Sequence, residues 1–176
     1  MDAVIDRRRG NRLDRLLPNR LLAVAGIVLL LAALVAIARG RADWGQVPPL
    51  IWGHLATILV ATALTPVMLW RRKGTMSHRR LGYAWVAAMT ATAVTSLFFD
   101  AGGRPGNLGV FTGDFSFIHV LSFWTLVQVP LIVRRAQRHQ VAAHESAVRG
   151  MVFGALLIAG FFTFPFDRML GRWLFG

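Results

Sequence analysis

Residues 44–70 read WGQVPPLIWGHLATILVATALTPVMLW, 27 positions between Asp43 and Arg71 without one charged side chain. A helix needs about 20 apolar residues to cross the hydrocarbon of a bilayer, within a range of roughly 17–25. The run is continuous rather than alternating, so it does not read as a strand of a membrane β-barrel. Four more uncharged blocks lie around it: Leu21–Ala38, Leu81–Phe99, Phe115–Val133 and Gly150–Phe166. Pro165 marks the end of the last block. Pro66 and Pro130 fall inside two others, where a kink is tolerated if neighbouring groups satisfy the freed carbonyl. The expected fold class is therefore an all-α integral membrane protein with five transmembrane helices.

The composition agrees. Hydrophobic residues make up 55% of the 176 and charged residues 16%, where a soluble domain carries about a quarter charged. Long uncharged blocks exclude a soluble globular domain, a disordered chain and a nucleic-acid-binding domain, although the net charge is +12. The chain has no cysteine, which excludes disulfides, cysteine-ligated iron–sulfur clusters and the C-x-x-C-H attachment of c-type haem.

Lysine and arginine set the expected orientation. Six lie before the first block, five in the 71–80 loop and four in the 134–149 loop, against five (Arg39, Arg41, Arg104, Arg168, Arg172) on the other side. Fifteen against five places the amino terminus in the cytoplasm and the carboxyl terminus outside. The positive charge then reports topology and attraction to anionic headgroups, with the lipid bilayer as the partner. Ala36-Ile37-Ala38 looks like a signal-peptide cleavage site, but the 18-residue run before Arg39 exceeds the usual apolar stretch of about 7–15. It is expected to be retained as a helix.

Two parts of the chain look alike. His54 is followed by Pro66, Arg71-Arg72 and His78; His119 is followed by Pro130, Arg134-Arg135 and His144, at nearly the same offsets. Two hairpins starting on the same side imply a parallel repeat about an axis along the membrane normal. The expected organisation is a basic segment (1–20), a peripheral transmembrane helix (21–38) and a four-helix core (44–176) built from repeat units 44–99 and 115–166.

Every acidic residue lies outside the blocks or at their edges, so a carboxylate proton relay through the membrane is not expected. The ionisable residues inside the blocks are His54 and His119, about 8–9 Å and 6 Å below the ends of their helices at 1.5 Å per residue. The repeat axis would bring them face to face. His78 and His144 form a matching pair at the basic ends of the other two helices. Each histidine lies near a helix amino terminus, where the partial positive charge favours the neutral, ligating ring. Two histidines from facing helices are what a bis-histidine b-type haem requires. The alternative for His54 and His119 is polar glue between helices, and for His78 and His144 an interfacial position beside lipid phosphates; His139 reads as solvated. A porphyrin-free zinc or copper site would want a third ligand. No serine–histidine–acid set, H-E-x-x-H or phosphate loop is present, so no independent catalytic activity is expected. Gly150 and Gly154, with Ala84, Ala88 and Ala91, give smooth faces for close helix packing.

The run Lys73-Gly74-Thr75-Met76-Ser77-His78-Arg79-Arg80-Leu81-Gly82-Tyr83, with Ile118-His119, His144, Met151 and Phe162-Thr163-Phe164-Pro165, resembles a bacterial membrane family catalogued as domain of unknown function 2306. The likeness covers residues 50–175 and departs at Glu145 and at Phe166-Asp167. It implies a bacterial inner-membrane protein. Two functional classes remain open: a b-type haem electron carrier using His54 with His119 and His78 with His144, or a non-catalytic accessory or assembly subunit packed against a larger membrane complex.

Overall fold

The computed structural model describes residues 17–99, 109–113, 115–165 and 167–176. They form helices α1 (Asn19–Arg39), α2 (Pro49–Trp70), α3 (Met76–Ser96), α4 (Phe117–Gln137), α5 (Val141–Met151) and α6 (Met169–Phe175). A 3-10 segment, Gly40–Gln46, prolongs α1, and α5 runs on through a π-helical segment, Val152–Ile158, and the turn Ala159–Phe161. Among the described residues there is no strand. In hydrocarbon each backbone polar group must be satisfied within its own element, which leaves helices as the answer to uncharged blocks of this length.

Among the described residues four helical stretches are long and apolar enough to cross a membrane: Asn19–Gln46, Pro49–Trp70, Phe117–Gln137 and Val141–Phe161. Helix α3 has the same length but falls short in apolarity. It opens on His78-Arg79-Arg80 and continues in alanine, threonine and glycine. Its buried residues, Trp85, Ala88, Met89, Ala93 and Ser96, pack against the neighbouring helices, while Tyr83 and Val94 are exposed.

The bundle is inside-out compared with a soluble one. Large apolar side chains point outwards, as Leu21, Val24, Val28, Leu31, Leu34 and Val35 do along α1. Buried positions include Thr62, Thr65, Ser96, Ser122 and Thr125. Each of these hydroxyls donates to a carbonyl three or four residues earlier in its own helix, at 2.7–2.8 Å (Thr62 to Ile58 2.7 Å, Thr125 to Leu121 2.8 Å). Small hydroxyl residues thus let helices approach while leaving no donor unmatched.

Consecutive helices pack side by side, and α1 closes the set by lying against α2, the π segment of α5, and α6. Leu22 and Ala23 of α1 join the main core with Ala61, Trp85, Met89, Val129, Met151 and Leu156. Helix α1, expected to be peripheral, is thus packed into the wall of the bundle. One end of the bundle gathers Asn19, the 71–75 loop and the start of α5, with Arg149 Nε donating to Asn19 Oδ1 at 2.9 Å. It is called the basic end below. At the opposite end Trp173 of α6 covers Gly40, where an added Cβ would lie 2.0 Å from the indole. Trp173 Nε1 donates to Asp43 Oδ2 at 2.9 Å, fixing α6 across the end of α1.

Candidate functional site

Helix α3 starts where Gly74, at φ +80, turns the chain back from α2. Thr75 then caps the helix, its hydroxyl accepting the His78 backbone N–H at 3.2 Å. This local geometry fixes His78 in the first turn. Helix α5 starts after His139, another residue with positive φ (57°), and carries His144 one turn in. Both histidines line one cavity of about 630 Å³ between α2, α3, α4 and α5 at the basic end. That volume falls in the range of small-molecule and cofactor sites, about 300–1,000 Å³. Leu69, Trp85, Val86, Ile132, Val148 and Val152 provide apolar wall; Lys73, Arg79, Glu145 and Asn19 also line it. Thr65 and Trp85 are tied together, indole Nε1 donating to the hydroxyl at 3.0 Å.

The two rings are set for ligation in different ways. His144 Nδ1 lies 3.1 Å from the Ile132 carbonyl oxygen. A carbonyl only accepts, so in the neutral ring Nδ1 carries the proton and Nε2 keeps its lone pair. Anchoring one nitrogen on a carbonyl is how ligating histidines are commonly oriented. His78 Nδ1 is buried with no hydrogen-bond partner. Burial first, then the positive charge of His144, Lys73 and Arg71, pushes the His78 ring below the usual imidazole value of 6.5. It is held neutral at ordinary pH. At the same end Glu145 accepts from Lys73 at 2.5 Å and from Arg149 at 3.4 Å.

His54 and His119 sit at the opposite end, around Phe99 rather than around a shared cavity. His54 packs edge-on to the Phe99 ring, centroids 4.7 Å apart. Its Nδ1 lies 3.0 Å from Thr95 Oγ1. That hydroxyl donates to the Ala91 and Thr92 carbonyls, so His54 Nδ1 is the donor. His119 is fully buried and both its nitrogens are engaged. Nδ1 accepts the Ser116 backbone N–H at 2.9 Å, which leaves Nε2 as the donor to the Phe99 carbonyl oxygen at 3.2 Å. This is the part glutamate or glutamine plays in a capping box.

The donor set decides how a haem would fit. The chamber beside His54 is about 120 Å³, and His119 is not among its lining residues. An axial bond from His119 would also have to break a helix cap or free the Phe99 carbonyl. His54 and His119 therefore do not present the bis-histidine site expected from the repeat. His78 and His144 do share a cavity of suitable size, with an orphaned buried nitrogen on one and a carbonyl-oriented ring on the other. Among the described residues no group of three or more histidine or acidic side chains is placed to hold a bare metal ion.

The sequence did not single out the other residues that line this cavity: Lys73 and Arg79 counted among the loop charges, Glu145 among the acids at the block edges, and Trp85 drew no attention. The Ser116-x-x-His119 spacing was a signal that would have identified His119 as a cap. No protein-family model, curated protein or solved structure matches this chain.

Proposed function

We propose that this chain is an integral membrane protein that binds b-type haem at its basic end and carries single electrons through it, with His78 and His144 as the ligand-bearing side chains. One observation carries this: both rings line a single cavity of about 630 Å³, one anchored through Nδ1 and the other with a buried nitrogen that lacks a partner. A bound haem would supply a one-electron couple, the organic and metal chemistry being the cofactor's own. The chain's part is positional. The Ile132 carbonyl orients His144, burial and nearby cations keep His78 neutral, and Leu69, Trp85 and Val152 supply apolar wall.

The same reading takes α3 as a fifth crossing, through residues 81–99. The contacts at the two ends support alternate directions for α1 to α5, with the amino terminus in the cytoplasm of a bacterium, the carboxyl terminus outside and the inner membrane as host. Packing of α2 on α3 and α4 on α5 supports a duplicated hairpin, and the π segment of α5 is a departure from it. Membership of the family that Lys73–Tyr83 resembles belongs to the same proposal. The chain has no cysteine, so single cysteines introduced at Trp44, Arg138 and Phe175 can be labelled from either side of intact cells. Only Arg138→Cys should be shielded from an impermeant reagent added outside.

The functional test is an optical spectrum of detergent-purified protein made with ample haem, air-oxidised and then reduced with dithionite. A Soret band that sharpens and shifts on reduction is expected. His78→Ala and His144→Ala should each abolish it, while His119→Gln retains it. A featureless spectrum would overturn the proposal and turn attention to a subunit packed against a larger complex.

A further inference from the structure

The basic-end cavity has a chemical gradient along its depth. Leu69, Trp85 and Val152 line it with apolar surface, whereas Lys73, Arg79 and Glu145 bring two cations and one acid to its rim. Glu145 is doubly held, by Lys73 across the rim at 2.5 Å and by Arg149 on its own helix at 3.4 Å. Arg79 is different: it makes no ion pair or side-chain hydrogen bond with any described residue. If Lys73 turns away, Glu145 still keeps Arg149, so the carboxylate is not stranded. Two cationic donors are then available at one rim with no further acid among the cavity-lining residues.

We propose that this rim selects a ligand with an anionic head, a carboxylate or a phosphate on an apolar body, read by Arg79 and, after exchange away from Glu145, by Lys73. The proposal rests on the cavity being a binding site, and it names which class of ligand the cavity takes. A cationic head would meet two like charges. A neutral body would fill the depth but leave Arg79 unmatched. Arginine and carboxylate or phosphate make charge-assisted hydrogen bonds, stronger than neutral ones. The head group has two chemical sources, the acid groups of a porphyrin-like ligand and the phosphate of an anionic lipid.

Metal-free protoporphyrin IX separates this proposal from haem ligation, because it needs no axial histidine. The full chain would be titrated in phosphatidylcholine nanodiscs with the diacid and, separately, with its uncharged dimethyl ester, following porphyrin fluorescence. The diacid should bind about tenfold more tightly than the ester, the size of one charge-assisted hydrogen bond. Arg79→Gln should remove that preference and leave the ester unchanged. Lys73→Gln should reduce the preference in part. In nanodiscs containing phosphatidylglycerol, loss of the diacid preference by the wild type assigns the head to lipid phosphate; a preference that persists assigns it to the porphyrin acid groups. The proposal is overturned if diacid and ester bind alike in phosphatidylcholine, or if Arg79→Gln keeps the wild-type preference. A flat dithionite spectrum beside a strong diacid preference would overturn haem ligation alone.

Discussion

His78 and His119 hold the same position in their helices, the third residue after Thr75 and Ser116 respectively, yet their rings do opposite things. The His119 ring folds back onto the Ser116 N–H and reaches the Phe99 carbonyl, so both nitrogens serve the backbone. At α3 the Thr75 hydroxyl takes the capping role, and the His78 ring is left with an unpartnered nitrogen at a cavity. The difference extends to the two ends of the bundle. The opposite end is sealed by Trp173 on Gly40 and by rings around Phe99. The basic end is hollow and rimmed with charge. A histidine that closes a packed end is structural; one that lines a ligand-sized void, with a nitrogen the backbone has not claimed, is where a ligand can be held.

The largest effect should come from the sealed end. Gly40→Ala puts a methyl 2.0 Å from the Trp173 indole, so α6 must lift or α1 must shift. Overpacking of this kind costs about 1–3 kcal/mol, and the lost Trp173–Asp43 hydrogen bond adds to it. Thermal unfolding in detergent should show a clear drop, with the dithionite difference spectrum of surviving protein unchanged. An unchanged midpoint would break the contrast, because the end would not be close-packed.

His119 offers a smaller and sharper test. Removing a helix cap costs about 0.5–2 kcal/mol, and His119→Ala also leaves the Phe99 carbonyl without its donor. Glutamine can accept the Ser116 N–H as it does in a capping box. His119→Gln should therefore recover most of the stability that His119→Ala loses. If His119 were an axial ligand, both variants would lose its Soret contribution equally, whatever their stability.

Much of the architecture was legible in the sequence because hydrocarbon imposes it. Uncharged blocks of membrane-spanning length became helices, although the last helix starts at Val141, before the block expected at Gly150, takes Glu145 and Arg149 into its length and stops at Phe161 rather than Pro165. Helix α3 was harder to read: the block Leu81–Phe99 formed a helix of similar length, but its alanines, threonines and basic first turn leave it less apolar than the four candidate spans. The π segment left no mark in residues 152–158, whose sequence VFGALLI is ordinary for a buried helix. The four candidate histidines were found by spacing, but spacing cannot say which ring nitrogens the backbone has already claimed. His54 and His119 both lie against Phe99, yet Thr95, Ser116 and the Phe99 carbonyl occupy them. Glu145, a departure from the resembled pattern, proved to tie the 71–75 loop to α5, a contact 72 positions apart in sequence that no local pattern foretells.

The smallest effect concerns protonation at the hollow end. Burial and then the charges of His144, Lys73 and Arg71 depress the His78 pKa below 6.5. The sign follows: between the folded and unfolded pKa values the unfolded chain binds the extra proton, so stability rises with pH in that window and is lost as pH falls through it. Titration of nitrogen-15-labelled histidine by NMR should give His78 a midpoint below 6.5. His144→Gln removes the His144 charge and leaves burial, so the midpoint should move part of the way back up. His119→Gln, at the other end of the bundle, should leave it where it is. A His78 midpoint at or above 6.5 would mean that the ring reaches water freely, and the hollow end would then be an open vestibule rather than a site that keeps His78 neutral.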